Sequence, residues 1–361
     1  MDLSQFLSDP RRRNLAALAA AAFVAVLLAL GAIWQQAHQG QPAYGPEQFF
    51  PGFSRHVREA ALIHIESKTG GAFDVAFVPE KGWVLPGRSD FPASFDLVRR
   101  TLVGLAALQT IEPKTARADW LHYVGLDAPP AGDGIAITVR DDKGHVLASL
   151  ITGKSEDIGD PSGATGLFVR RPNETQSWLV RSVMDPRSSL SDWIEKTVMD
   201  VDRARIQEVD VDPAGSASYT VRREQPGEAD FKLSPVPAGR TVSDPTVPDG
   251  VAAAVTSFGF DDVRPSRELD FSNQATTARV VTKTFDGLKV TMNVQRQGSD
   301  YWGMVSAEAI NPRKQDAAKE ADSINAHASG WAYKLPAFKG RLFMTTLDSL
   351  LKSRAPPQAP Q

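Results

Sequence analysis

The longest apolar segment of the chain runs from Leu15 to Trp34 and contains no charged or strongly polar side chain. At about 1.5 Å per residue, a helix of this length crosses the roughly 30 Å hydrocarbon core of a bilayer. The basic triplet Arg11–Arg13 precedes the segment, whereas the next Lys or Arg is Arg55. Because basic flanks stay in the cytoplasm, we expect a cytoplasmic N-terminus and a bulk that faces the periplasm.

A cleaved signal peptide is the alternative for the same segment, since it also begins with basic residues and continues with apolar ones. The segment exceeds the roughly 7–15 apolar residues of a signal peptide, and bulky Ile33 and Trp34 stand where small residues precede a cleavage site. The pattern therefore favours an uncleaved anchor and a single-pass protein of the inner (cytoplasmic) membrane.

Alternating apolar and polar residues predict strands after a Pro- and Gly-containing spacer over residues 35–56. Ala61–Ser67, Phe73–Val78 and Trp83–Leu85 predict an antiparallel meander. The segment 94–108 then predicts a helix capped by Ser94, with a stripe at helical spacing formed by Phe95, Val98, Leu102 and Leu105. A short helical turn over Trp120–Pro130 is expected to end at Gly125.

Two hairpins and a helix are predicted next. Ile135–Arg140 and Val146–Thr152 flank the turn-rich residues 141–144, and Leu167–Arg171 and Ser177–Val180 flank a second turn. Apolar residues of Leu190–Val198 recur at helical spacing.

The same succession then begins again. Ile206–Val211, Ser218–Arg222 and Phe231–Leu233 predict three short strands, and Asp249 is expected to cap a helix whose stripe is Val251, Val255 and Phe258. Ala278–Thr282 and Leu288–Gln295 predict a hairpin around Asp286–Gly287.

The later strand of that hairpin is predicted to have one solvent-exposed face, because apolar residues alternate with Lys289, Thr291, Asn293 and Gln295. A helix over Pro312–Ser329 follows, and the terminal apolar stripe is formed by Leu342, Phe343, Leu347, Leu350 and Leu351.

The repeated pattern predicts an α+β protein with a single N-terminal transmembrane helix and two tandem related domains of antiparallel sheets with packed helices. The expected segments are a cytoplasmic tail (1–13), a transmembrane helix (14–34), a spacer (35–56), a first domain (57–204), a second domain (205–351) and a disordered tail (352–361).

The order of several segments resembles a known family. They are ASFDLVRRTLVGLAALQTIEP, YVGLD followed by prolines, strands ending LITGKS, GLFVR with WLV, and DWIEKTVMDVDRARIQEVDV. This order is similar to the family called domain of unknown function 4340, clearly over residues 57–212 and again at GWAYKLP near the C-terminus. The resemblance implies a membrane-anchored, extracytoplasmic auxiliary protein of ABC-type transporters, of the kind linked with gliding motility, with no assigned catalytic residues.

Composition excludes several functions. A formal charge of -3, with no long run of one sign beyond the arginine triplet, argues against nucleic acid as a partner. The chain has no cysteine, which excludes a disulfide, a thiolate nucleophile and a cysteine-ligated metal.

Short motifs give no complete site. Gly153-Lys154-Ser155 lacks the earlier glycine of a phosphate-binding loop and predicts a turn at a strand end. The spacing of Asp210, Asp212 and Gly215 is similar to the start of a calcium-binding loop. Val221 occupies the position where such a loop requires a bidentate acid, so a solvated strand edge is predicted instead.

Other candidate groups are explained by local structure. Residues 52–56 (GFSRH) are predicted to form a loop. His64 is expected at a polar position of a strand, and the pairs Asp141-Asp142 and Asp261-Asp262 are expected in turns. The six histidines show no metal-binding spacing. No catalytic, cofactor-binding or metal-ligating residue is therefore predicted, and no cofactor.

These patterns predict a non-enzymatic bitopic membrane protein, a scaffold or substrate-binding accessory of an ABC-type transport complex, with a permease or another envelope protein as partner. A periplasmic hydrolase of envelope polymer and a free-standing ligand-binding module are the alternatives. A deep cleft with convergent titratable groups would favour the hydrolase.

Overall fold

The computed structural model describes residues 47–352, except residues 197, 257, 312 and 314. In this part of the chain, no helix is long and apolar enough to cross a membrane. The cytoplasmic tail predicted over residues 1–13, the membrane helix predicted over residues 14–34 and all but the first residue of the disordered tail predicted over residues 352–361 lie outside the described residues.

The first half of the described chain forms one antiparallel sheet in the order β4-β3-β2-β1-β6-β7-β8-β9-β5. Its strands are β1 (Leu62–Ser67), β2 (Gly71–Val78), β3 (Gly82–Leu85), β4 (Phe91–Pro92), β5 (Gln109–Pro113), β6 (Ile135–Arg140), β7 (Val146–Glu156), β8 (Thr165–Arg170) and β9 (Ser177–Ser182). The meander and both hairpins predicted here are confirmed.

The second half forms another antiparallel sheet, in the order β12-β11-β10-β14-β15-β16-β17-β13. Its strands are β10 (Ile206–Asp212), β11 (Tyr219–Arg222), β12 (Lys232–Ser234), β13 (Asp262–Pro265), β14 (Thr277–Thr284), β15 (Leu288–Gln297), β16 (Asp300–Ala309) and β17 (Trp331–Leu335). The expected mixed α+β class with antiparallel sheets is confirmed.

The two sheets have corresponding strand orders. When β1–β3 are matched with β10–β12, β5 with β13, and β6–β9 with β14–β17, every strand of the second sheet occupies the same place as its counterpart. The first sheet adds only β4 at its edge. Each strand of one sheet can therefore be compared with a definite strand of the other.

Helices cover these sheets. The α-helices of the described residues are α1 (Phe53–His56), α2 (Phe95–Ala107), α3 (Leu190–Trp193), α4 (Val247–Ala254), α5 (Gln315–Ala328), α6 (Ala337–Phe343) and α7 (Leu347–Leu350). Val98, Leu102 and Leu105 of α2 are buried as predicted, whereas Phe95, the first residue of the helix, is 63% exposed.

Three helix predictions need correction. The helix predicted over Leu190–Val198 ends at Trp193, because the backbone of Ile194 leaves the helix to form a bridge with Ala93. Asp249 lies in the first turn of α4 rather than capping it, and its carboxylate accepts hydrogen bonds from Arg203 and from the Phe231 amide. The stripe at the C-terminus is divided between the short helices α6 and α7.

The two halves meet where β4 approaches β13 and β17. Arg88 donates two hydrogen bonds to Asp262, from Nε at 2.6 Å and from Nη2 at 3.0 Å. The turn predicted at Asp261-Asp262 is thus wrong for Asp262, which begins β13. Phe91 of the first half packs edge-to-face on Trp331 of the second, with ring centroids 4.9 Å apart. Buried apolar residues of both halves form one continuous core.

Candidate functional site

The outer face of the first sheet, the face turned away from the main core, is covered by its own chain. The connection between β5 and β6, residues 114–134, contains a 3₁₀ helix, Ala118–Val124. Leu121 and Leu126 of this connection pack on Ile151 to form a small separate core. The segment turns at Gly125, whose φ of 71° favours glycine, as predicted.

The outer face of the second sheet is open. The corresponding connection, between β13 and β14, comprises only residues 266–276, with a single 3₁₀ turn at Ser266–Glu268. It leaves a groove of about 1150 Å³ across β10, β14, β15 and β16. The groove is lined by Asp212, Pro213, Gly215, Ser216, Ala217, Phe271, Ser272, Gln274, Ala275, Thr277, Arg279, Lys289, Thr291, Asn293, Ser306, Ala307, Glu308 and Asn325.

Residues at matching positions differ in polarity between the two outer faces. In the first sheet Ala136 of β6 lies opposite Ile151 of β7, beneath the covering segment. In the second sheet the matching strands place Arg279 opposite Asn293. The positions match when each hairpin is counted back from its turn, and the same count matches the core-facing pair Ile137 and Leu150 with Val280 and Met292. At these two positions the open face is therefore polar where the covered face is apolar.

One row of side chains across this face is internally paired. This paired row consists of Glu208, Lys283, Lys289 and Glu308, which lie in register on β10, β14, β15 and β16. Lys283 Nζ lies 2.6 Å from Glu208 and 2.9 Å from Asp210, and these hydrogen bonds raise the pKa of Lys283. Lys289 Nζ lies 2.7 Å from Glu308 and, chiefly through this hydrogen bond, lowers the pKa of that carboxyl. The paired row therefore offers few free charges.

A second row, at the floor of the groove, is different. This unpaired row consists of Asp212, Arg279, Asn293 and Met304, again in register on the same four strands, and its first three members line the groove. The polar side chains of Asp212, Arg279 and Asn293 make no hydrogen bond or ion pair with any described residue. Asp212 and Arg279 are also exposed. Arg279 acts on the nearby Glu308 carboxyl through space and helps to lower its pKa, but forms no hydrogen bond with it. A carboxylate, a guanidinium and an amide therefore stand side by side with their hydrogen-bonding groups available to a ligand.

Two further groups line the groove. The hydroxyl oxygen of Thr277 is enclosed and has no hydrogen-bond partner in the described part of the chain. On the opposite side, the Asn325 side chain of α5 is held by the backbone of Ala307, accepting from its N–H at 2.9 Å and donating to its carbonyl at 2.7 Å. The helix thereby closes the free edge of β16 and forms one wall of the groove.

The motifs considered from sequence lie elsewhere or act locally. Gly153–Ser155 is part of β7 rather than a turn at its end, and Lys154 Nζ donates to the Tyr123 carbonyl at 2.9 Å. The backbone of Val124 packs so closely on Gly153 that a Cβ there would lie 2.1 Å from its oxygen. This glycine therefore serves the packing of the covering segment.

The other polar candidates also have structural partners. His64 Nδ1 lies 2.7 Å from Asp74 on the neighbouring strand, as its polar strand position predicted. Asp141 accepts from the amides of Lys143 and His145 in the predicted turn. Residues 53–56, predicted as loop, form α1. Among the described residues, no group of three or more His, Cys, Asp or Glu side chains is arranged to hold a metal ion.

Sequence reasoning found one part of the groove and missed the rest. The alternation of apolar residues with Lys289, Thr291 and Asn293 predicted that one face of β15 is exposed to solvent. Asp212 was weighed as an ion ligand and predicted to lie at a solvated strand edge, where it is indeed exposed, and Arg279 was not singled out. Their importance depends on the neighbouring strands, because β10 and β14 are far apart in sequence and adjacent in the sheet.

A family model matches this chain. The model described as "Domain of unknown function (DUF4340)" matches residues 83–277, which is more than half of the chain. The chain therefore belongs to this family, and the resemblance noted from its motifs is confirmed. The match extends from β3 in the first half to the start of β14 in the second. No curated protein and no solved structure matches the chain.

Proposed function

We propose that this protein is a non-enzymatic binding component of an ABC-type transport complex, anchored by residues 14–34 and carrying two related extracytoplasmic domains. In this proposal the second domain binds a polar ligand or partner in its open groove, and the first domain supports it. The observation that carries the proposal is the difference between the outer faces of two sheets with corresponding strand orders.

The difference between the two outer faces supports a binding function because both the covering connection and the residues beneath it differ. The connection over the second sheet is shorter, and the residues exposed beneath it are polar where the first sheet has Ala136 and Ile151. A shorter connection alone would expose an apolar surface. The volume of the groove, about 1150 Å³, lies just above the roughly 300–1,000 Å³ of small-molecule sites, so the groove has room for a ligand of at least that size.

The membrane location rests on the sequence alone. The apolar segment Leu15–Trp34 and the preceding triplet Arg11–Arg13 support an anchor with a cytoplasmic N-terminus. Since the chain has no cysteine, single introduced cysteines test this orientation. Ser353→Cys should react with an impermeant maleimide once the outer membrane is permeabilised, and Ser4→Cys only after lysis. The reverse pattern would refute the orientation.

Partner recovery tests the binding function. The full-length protein, extracted in mild detergent, should retain an ABC-type permease. Ser306→Trp places an indole in the groove and should reduce this recovery, whereas Ser155→Trp, at an exposed serine of β7 in the first sheet, should not. Equal recovery with both variants would exclude the groove as the contact. If the parent protein recovers no permease, the transport proposal fails.

A further inference from the structure

The groove offers opposite charges to a ligand. On its floor the Asp212 carboxylate and the Arg279 guanidinium belong to register partners on neighbouring strands, yet they make no ion pair with each other. By contrast, both lysines of the paired row on the same face bind carboxylates. A ligand that carried only one charge sign would be attracted by one of the two free groups and repelled by the other. The floor therefore fits a ligand segment that carries both signs.

The neighbouring groups suit a peptide backbone. The Asn293 side chain, next to Arg279 in the unpaired row, has both a donor and an acceptor free. A peptide group likewise presents one donor and one acceptor, so the two can exchange a pair of hydrogen bonds.

The dimensions also agree with a short peptide. The groove crosses four neighbouring strands, and at about 4.8 Å between strands this is a width of roughly 14 Å. An extended peptide rises about 3.4 Å per residue, so about four or five residues fit, with residues i and i+2 facing the same side.

We infer that the groove binds an extended peptide segment with a basic and an acidic side chain two residues apart, the basic one on Asp212 and the acidic one on Arg279. This inference rests on the proposed binding function and specifies its ligand. Asn293 contacts the peptide backbone beyond the acidic residue, on the side away from the basic one.

Labelled pentapeptides test the inference by fluorescence anisotropy with the full-length protein in detergent at low salt. The probe is Gly-Lys-Gly-Glu-Gly, and the comparison peptides carry two lysines, two glutamates or two glutamines at the same places. We expect the probe to bind at least about tenfold more tightly than the glutamine peptide, the size of effect that charge-assisted hydrogen bonds give.

Charge variants identify the contacts. Arg279→Gln should weaken the probe about tenfold and remove the advantage of a glutamate, and Asp212→Asn should remove the advantage of a lysine. Lys232→Gln, at an exposed lysine of β12 outside the groove, is the matched control and should change binding less than about threefold. Equal binding of the probe and the glutamine peptide, or unchanged binding in both charge variants, would overturn the inference.

The inference and the proposed function can fail separately. If no peptide binds while Ser306→Trp still reduces permease recovery, the peptide is the wrong ligand class and the binding function stands. If the probe binds as expected while Ser306→Trp leaves permease recovery intact, the groove is a peptide site and the proposed transport contact is wrong.

Discussion

Two buried arginines stabilise the fold through backbone carbonyls rather than through acids. Arg170 and Arg223 are 6% and 4% exposed. Arg223 donates to the carbonyls of Ile206, Glu228, Arg203 and Ala204, at 2.6–2.9 Å. Burial lowers its pKa, but a guanidinium remains charged at neutral pH. The side chain thus fastens the start of β10 to the loop that follows β11.

Replacing Arg223 by lysine should destabilise the protein strongly. A single ammonium cannot reach four carbonyls in different directions, so several are left buried without a donor. We expect Arg223→Lys to lower the free energy of unfolding by about 3 kcal/mol, measured by urea denaturation. Arg222→Lys is the matched control, because Arg222 is next in the chain, is exposed and forms a surface ion pair with Glu224. Equal effects of the two variants would contradict this role.

Asp160 should make stability depend on pH in the acid range. Hydrogen bonds, first from Arg181 and then from Ser162, hold the pKa of Asp160 well below its usual 3.8. Asp160 therefore stabilises the protein fully at pH values above its pKa in the unfolded chain. This contribution is lost as the pH falls toward the lower pKa that Asp160 has in the folded protein. Between pH of about 5 and 2, we expect Asp160→Asn to lose less stability than the parent. If the free energy of unfolding falls by the same amount in the parent and in Asp160→Asn over this pH range, the role of Asp160 is refuted.

At the scale of elements, α5 substitutes for a missing strand. β17 pairs with β16 only over Tyr301–Gly303, which leaves the later residues of β16 without a strand on that side. Asn325 satisfies both backbone groups of Ala307 there, while Ala321 and Ile324 of the same helix are buried. The helix therefore protects an edge that could otherwise pair with another chain.

Removing the Asn325 amide should loosen this edge. Asn325→Ala leaves the N–H and carbonyl of Ala307 without their partner, at a cost of about 2 kcal/mol. Hydrogen exchange at the Ala307 amide should accelerate in this variant. Asp322→Ala, at an exposed position of the same helix, should stay within about 0.5 kcal/mol of the parent. Unchanged exchange in Asn325→Ala would show that the helix protects the edge without this contact.

Local patterns were sufficient to predict most elements. The hairpin strands β6 and β7 follow from alternating residues around a turn where Asp141 binds its own backbone. The helix expected over Leu190–Val198 ends early because Ile194 pairs with Ala93, a contact that local periodicity does not contain. The groove was beyond prediction for a similar reason, since it depends on which strands are neighbours and on what covers them.

At the scale of the whole molecule, an aromatic cluster joins the two halves. Phe91 is 3% exposed and contacts the rings of Phe260, Trp331 and Tyr333 in the second half. The ion pair between Arg88 and Asp262 lies at the same junction. Because the groove belongs to the second half alone, this junction fixes its position relative to the first half.

Truncating Phe91 should uncouple the halves. Phe91→Ala removes a buried ring at a cost of about 3–5 kcal/mol. We expect the parent to unfold in one calorimetric transition and the variant in two, because each half has its own sheet. Phe77→Ala, at a residue that is 48% exposed, should keep the single transition. A single transition in Phe91→Ala, merely shifted to lower temperature, would argue against a junction that couples the halves.

The central claim, that the open groove of the second sheet is occupied in the native complex, is tested most directly by labelling carboxylates with a carbodiimide and an amine. Asp212 lies in the groove, and Asp142 is exposed in a turn of the first half and serves as the control. We predict that Asp212 is labelled less in native membranes than in the purified protein, while Asp142 is labelled equally in both. Equal labelling of Asp212 in membranes and in the purified protein would contradict the claim.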